Sequence, residues 1–98
     1  MHYVGVDIAK RTHSAAVLDD EGLLVAEPFM FENSSQGFAF FLMKLGSIGA
    51  DCNECAIAME STGHYWFALL DFLIAHGFDP IVLNPIQTDA YRKVDSVR

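Results

Sequence analysis

Two carboxylates are the residues of this chain best placed to do chemistry. Asp7 closes an otherwise apolar run, Met1-His-Tyr-Val-Gly-Val-Asp7, and Glu60 closes a second run of the same form, Cys55-Ala-Ile-Ala-Met-Glu60, followed by Ser61-Thr62-Gly63. A charge costs several kcal/mol to bury unpaired, so a lone carboxylate ending an apolar run belongs at an open strand end, holding a cation. Two such carboxylates brought to one place repel each other unless a cation sits between them. Oxygen-only ligands favour magnesium or manganese.

The remaining elements read as scaffold that brings Glu60 to Asp7. His2 to Ile8 is nearly continuous in apolar residues, the pattern of a central strand buried on both faces. After a polar turn, Ala9 to Thr12, His13 to Leu18 resumes as a strand, and Asp19-Asp-Glu-Gly22 is a hairpin connection. Leu23 to Phe31 is expected as the third strand of a meander, with Pro28 at a bulge or an edge. Asn33-Ser34-Ser35 offers N-cap residues for a helix whose Phe38, Phe41, Leu42 and Leu45 recur at helical spacing, with Gly46 as its stop. A polar loop over 46–54 leads to the strand Cys55 to Glu60. The second helix, His64 to His76, ends at Gly77, is apolar almost all round and carries a single charge, Asp71, so it needs cover on two sides, from a partner chain or the rest of the protein. Ile81 to Leu83 is a short fifth strand closed by Asn84-Pro85, and a helical or irregular tail follows. Strand, helix, strand over 55–83 is a right-handed parallel crossover. With the first and fourth strands parallel neighbours, Asp7 and Glu60 leave the same C-terminal sheet edge, where sites form in α/β folds.

Composition limits the partners. Ninety-eight residues, half of them apolar, suit one small domain. Thirteen acidic residues against six basic give a net charge of −7, the wrong balance for a domain that grips nucleic acid alone. The cations are placed usefully, however: Lys10 and Arg11 directly follow Asp7, and Arg92, Lys93 and Arg98 fall in the last seven residues. Ser61 to Leu70, an uncharged and largely apolar stretch, is too short to span a bilayer, and the N-terminus lacks the flank of a signal peptide. The expectation is a cytoplasmic protein with no membrane partner, in which Cys52 and Cys55 are reduced thiols.

The order βββαβαβ, with a carboxylate ending the first and fourth strands, resembles the ribonuclease H-like fold. Tyr3-Val-Gly-Val-Asp-Ile-Ala-Lys10, His13, Asp19 to Gly22, Asn33 with Gly37-Phe38, Met59-Glu-Ser-Thr-Gly-His-Tyr-Trp66, Asn84-Pro85 and Arg92-Lys93 together resemble the N-terminal domain of the DEDD transposases. These are recombinases of the hundred-and-ten family of bacterial insertion sequences, related to the Piv invertases and similar to the resolvase RuvC. The resemblance spans essentially all 98 residues. It implies that Asp7 and Glu60 are the first two of four acidic ligands for two magnesium or manganese ions that drive DNA strand cleavage and transfer. The other two ligands are expected beyond Arg98, since Asp95 does not stand in Asp-x-x-Asp form, and a serine-bearing C-terminal domain beyond them. Lys10, Arg11, His64, Arg92 and Lys93 are candidate DNA contacts, while His13 reads as a hydrogen-bonded strand residue. DNA, a structured guide RNA and further copies of the chain are the implied partners. Rival readings are a binding or dimerisation module of the same fold, and an actin-like or sugar-kinase-like ATPase. The latter needs a glycine-rich turn after Asp7, and Ile8-Ala-Lys-Arg-Thr12 has no glycine.

Overall fold

Strand β1 (His2–Asp7) pairs antiparallel with β2 (Thr12–Leu18) on one side and parallel with β4 (Cys55–Glu60) on the other. β3 (Phe29–Glu32) extends the sheet beyond β2, and β5 (Ile81–Leu83) beyond β4, giving the order β3-β2-β1-β4-β5. Two helices, α1 (Ser35–Ser47) and α2 (Phe67–Ala75), complete the expected βββαβαβ order. The structure, a computed structural model, describes residues 1–60 and 63–83. Asn84-Pro85 and the expected tail lie outside the described residues.

Strand alternation places Val4, Val6, Ala15, Val17, Ile57 and Met59 on one face of the sheet, and both helices pack there. Phe41 and Leu45 of α1 and Leu69 and Leu73 of α2 are fully buried, and the Phe38 and Phe72 rings, 5.5 Å apart, join the helices across the core. The opposite face is lined at its centre by Gly5, Ser14, Ala16 and Ala58, and no described helix covers it. This corrects the expectation of a first strand buried on both faces. β1 is central in order, but Tyr3, Gly5 and Asp7 are exposed.

Three boundaries also differ from expectation. The third strand begins at Phe29, after Pro28, because Leu23 to Pro28 are all exposed and join the sheet only through a bridge between Leu18 and Leu24. Helix α1 runs past Gly46 to Ser47, and Gly49, at φ +76°, makes the left-handed turn that ends it. Helix α2 begins at Phe67 rather than His64, since residues 63–66 form a turn closed by the Trp66 indole N–H donating to the Gly63 carbonyl at 2.8 Å. On α2, Phe67 and Ile74 remain more than half exposed, so the described residues cover one side only. No helix among the described residues is long and apolar enough to cross a membrane.

Candidate metal and nucleic-acid site

The parallel pairing of β1 with β4 runs in register from His2 with Cys55 to Asp7 with Glu60. The two carboxylates therefore end adjacent strands at one register position, and alternation turns both toward the face that carries Gly5 and Ala58. Adjacent strands lie about 4.8 Å apart, so their side chains start as near neighbours. Both residues are exposed. The Ile8 amide donates to the Glu60 carbonyl at 3.1 Å, carrying the ladder one step past the pair. Beside them lies an open concavity of about 340 Å³, floored by Gly5, Ala16 and Ala58 and walled by Leu83.

Neither carboxylate is tied up by the protein. The one ion pair among the described residues joins the N-terminal amine to Asp20, 3.4 Å apart, and neither Asp7 nor Glu60 caps a helix. Two free oxygen donors at one edge fit a hard divalent cation, although no group of three or more potential ligand side chains is assembled among the described residues. The pair is two donors of a candidate site.

Lys10 and Arg11 lie three and four residues beyond Asp7 in the exposed turn to β2, without a carboxylate partner among the described residues. His64 is exposed in the turn after β4, its ring 4.8 Å from that of Tyr65. The turns that follow the two carboxylate strands thus carry these three residues. Arg92 and Lys93 lie outside the described residues.

His13 is a buried strand residue, as its pattern implied. Its ring lies parallel to Phe38 and edge-on to Phe31, and its Nδ1 accepts a hydrogen bond from the Ala9 amide at 3.2 Å. The ring proton is therefore on Nε2, which has no hydrogen-bond partner among the described residues. Burial lowers its pKa below the usual 6.5, with Asn33 and the charge of Asp7 opposing in part. A depressed folded-state pKa means that the stability contributed by neutral His13 is complete above about pH 6.5 and is lost as the pH falls below it. The melting temperature should consequently fall between pH 7.5 and 5. His13→Gln, which keeps an acceptor for Ala9, should flatten that slope; an unchanged slope would assign the acid sensitivity elsewhere.

Sequence patterning did not reveal the part played by Asn33. It was a candidate cap, but Ser34 caps α1 by accepting from the Gly37 amide at 3.0 Å. Asn33 instead donates its side-chain amide to the Lys10 carbonyl at 3.1 Å and, at the outer limit of hydrogen bonding, to the Tyr65 carbonyl at 3.5 Å. The sequence signals were its place between an edge strand and the true cap and its presence, with Gly37-Phe38, among the residues that carry the resemblance.

A transposase family model, that of the DEDD transposases of IS110 elements, matches residues 4–98. The pilin gene-inverting protein of Moraxella lacunata is 28% identical over 96 residues, 98% of this chain and 29% of that protein, and its Moraxella bovis counterpart matches equally. The chain thus spans less than a third of the length of these relatives. Among solved structures, RuvC of Thermus thermophilus in complex with a Holliday junction substrate superposes with a TM-score of 0.61 at 16% identity, over 89% of this chain and 66% of that one. Pelota of Archaeoglobus fulgidus superposes with a TM-score of 0.58 at 20% identity, over 84% of this chain and 26% of that one. At such identities the likeness is one of fold, the ribonuclease H-like fold of RuvC.

Proposed function

Because the chain belongs to the DEDD transposase family, we propose that it is the N-terminal catalytic domain of a longer DNA recombinase that cuts and rejoins the ends of an insertion sequence. The observation that carries this reading is the in-register pairing of Asp7 with Glu60 on parallel strands, both exposed and neither paired with a cationic side chain among the described residues. Asp7 and Glu60 would hold a magnesium or manganese ion between them, with two further carboxylates from beyond Arg98 completing a two-ion set. A divalent cation held there supplies polarisation of the scissile phosphate and activation of the attacking oxygen.

The protein's own groups do the rest. The small residues Gly5, Ala16 and Ala58 leave room for a sugar-phosphate strand to lie against the sheet beside the carboxylates. Lys10 and Arg11 meet its phosphates from the turn after Asp7, and His64 from the turn after Glu60. Such point contacts make binding salt-dependent even in a domain of net charge −7. A structured RNA of the element and further copies of the protein belong to the same reading as partners of the full-length recombinase.

The test is strand cleavage of an insertion-sequence end by the full-length recombinase. Cleavage should stop on chelation and return with magnesium or manganese. Joint replacement of Lys10 and Arg11 by alanine should weaken DNA binding and lower the slope of log affinity against log salt by roughly one to two. Cleavage that persists in chelator would overturn the reading.

A further inference from the structure

We propose that Asn33 is a positioning residue that ties the turn after Asp7 to the turn after Glu60, and so sets the rim of the cation and DNA site. The inference rests on the reading of Asp7 and Glu60 as cation anchors. Along the sheet the two strands are held together as far as the bond from the Ile8 amide to the Glu60 carbonyl. Beyond that bond, Ile8 to Arg11 turn into β2, and residues 63–66 lead into α2. Among the described residues no backbone hydrogen bond joins these two turns. Asn33 supplies the joint.

Three of its donors converge there. The backbone N–H donates to the Arg11 carbonyl at 2.8 Å, and the side-chain nitrogen faces the Lys10 carbonyl at 3.1 Å and the Tyr65 carbonyl at 3.5 Å. A primary amide has two N–H groups, one for each carbonyl, and a flipped amide would set its oxygen against both, so the orientation is dictated chemically. The partners are 23 and 32 residues away in sequence, which makes this a tertiary link rather than a local turn. Asn33 is half-buried, and its own position is held by β3 on one side and by the Ser34 cap of α1 on the other. The anchor is thus rigid where the turns are exposed. Loss of the tie should leave Asp7 and Glu60 in register while freeing Lys10, Arg11 and His64 from their places around them.

The experiment compares Asn33→Ala and Asn33→Asp with Ser34→Ala in the full-length recombinase. Asn33→Asp matches the native side chain in size but has no donor, so it should behave as Asn33→Ala does. Both should accelerate amide hydrogen exchange in residues 8–12 and 63–67 together, and lower cleavage at limiting DNA and magnesium by roughly 10- to 100-fold, with recovery at high concentrations of both. Ser34→Ala, which removes the cap of α1, should accelerate exchange at the start of that helix and leave the limiting-DNA cleavage near wild type. Faster exchange in only one segment or in neither would overturn the tie, as would a cleavage loss shared equally by Ser34→Ala. Asp7→Asn separates the two readings. Where it abolishes cleavage and Asn33→Ala does not lower it, the proposed function stands and the positioning role falls. Where Asp7→Asn cleaves normally, the proposed function falls, and hydrogen exchange alone decides the tie.

Discussion

Gly37→Ala is expected to lower the melting temperature by roughly 10–20 °C. A Cβ at Gly37 would lie 2.6 Å from the carbonyl carbon of Glu32 and 2.7 Å from its amide nitrogen, and closer still to its oxygen. These are backbone atoms of an edge strand already paired with β2, so no flexible side chain can yield. Glycine inside a helix ordinarily costs about 1 kcal/mol relative to alanine, and at a permissive site this replacement would stabilise. Here the overlap forces α1 away from β3, at a cost on the order of 3 kcal/mol after the propensity gain is subtracted. One kcal/mol shifts the midpoint of a domain this size by roughly 4–8 °C, which gives the expected fall. Thermal unfolding followed by circular dichroism checks it. A variant that melts at or above the wild-type temperature would mean that α1 does not approach Glu32 so closely in solution.

On the proposed function, Asp7→Asn and Glu60→Gln in the full-length recombinase should each reduce strand cleavage by about a thousandfold or more without loss of fold. Each exchange keeps the side-chain size and removes one anionic oxygen donor, and a loss of about 4 kcal/mol of transition-state stabilisation corresponds to that factor. Stability should move the other way. The pair occupies one register position on adjacent strands with no cationic partner among the described residues, so the metal-free fold bears their repulsion. Because both are exposed, water screens most of it, and the gain on neutralisation is at most about 1 kcal/mol. Cleavage and melting temperature measured side by side, with chelator for the melts, give the answer. Loss of activity with an unchanged or slightly raised melting temperature marks a ligand, whereas a collapse of both marks a structural carboxylate.

The strands that carry the carboxylates were legible because each is an apolar run closed by a single charged residue, although the run hid the fact that only one face is buried. Val4, Val6, Ile57 and Met59 announce burial, and Asp7 and Glu60 mark where it stops. Helix α1 was legible for a related reason, since Phe38, Phe41 and Leu45 repeat at helical spacing and all three are buried. What could not be read were features set by distant partners. Leu23, Leu24 and Val25 have strand-forming composition, yet they stay exposed and touch β2 only at its end, through the Leu18–Leu24 bridge and the bond from the Val25 amide to the Val17 carbonyl at 2.9 Å. The bareness of the second sheet face depends on where both helices pack, which periodicity does not specify. Gly46 and Gly49 are equally good helix stops on paper, and a hydrogen bond from the Ala50 amide to the Leu45 carbonyl draws the turn to the later one. Asn33 was missed because its partners are far away in sequence.

The pairing of Asp7 with Glu60 also bears on when the site comes into being. The partners are 53 residues apart, joined through a parallel ladder that no hairpin can nucleate. Closing so long a loop costs entropy before any contact repays it, so β1 with β4 is among the slower pairings to form, whereas β1 with β2 can close locally. During synthesis, a chain that has emerged only through α1 holds Asp7 on a finished meander with no second carboxylate beside it. On the proposed function, the cation site would thus be a late product of folding, and a partly made protein would carry no assembled pair with which to cut DNA.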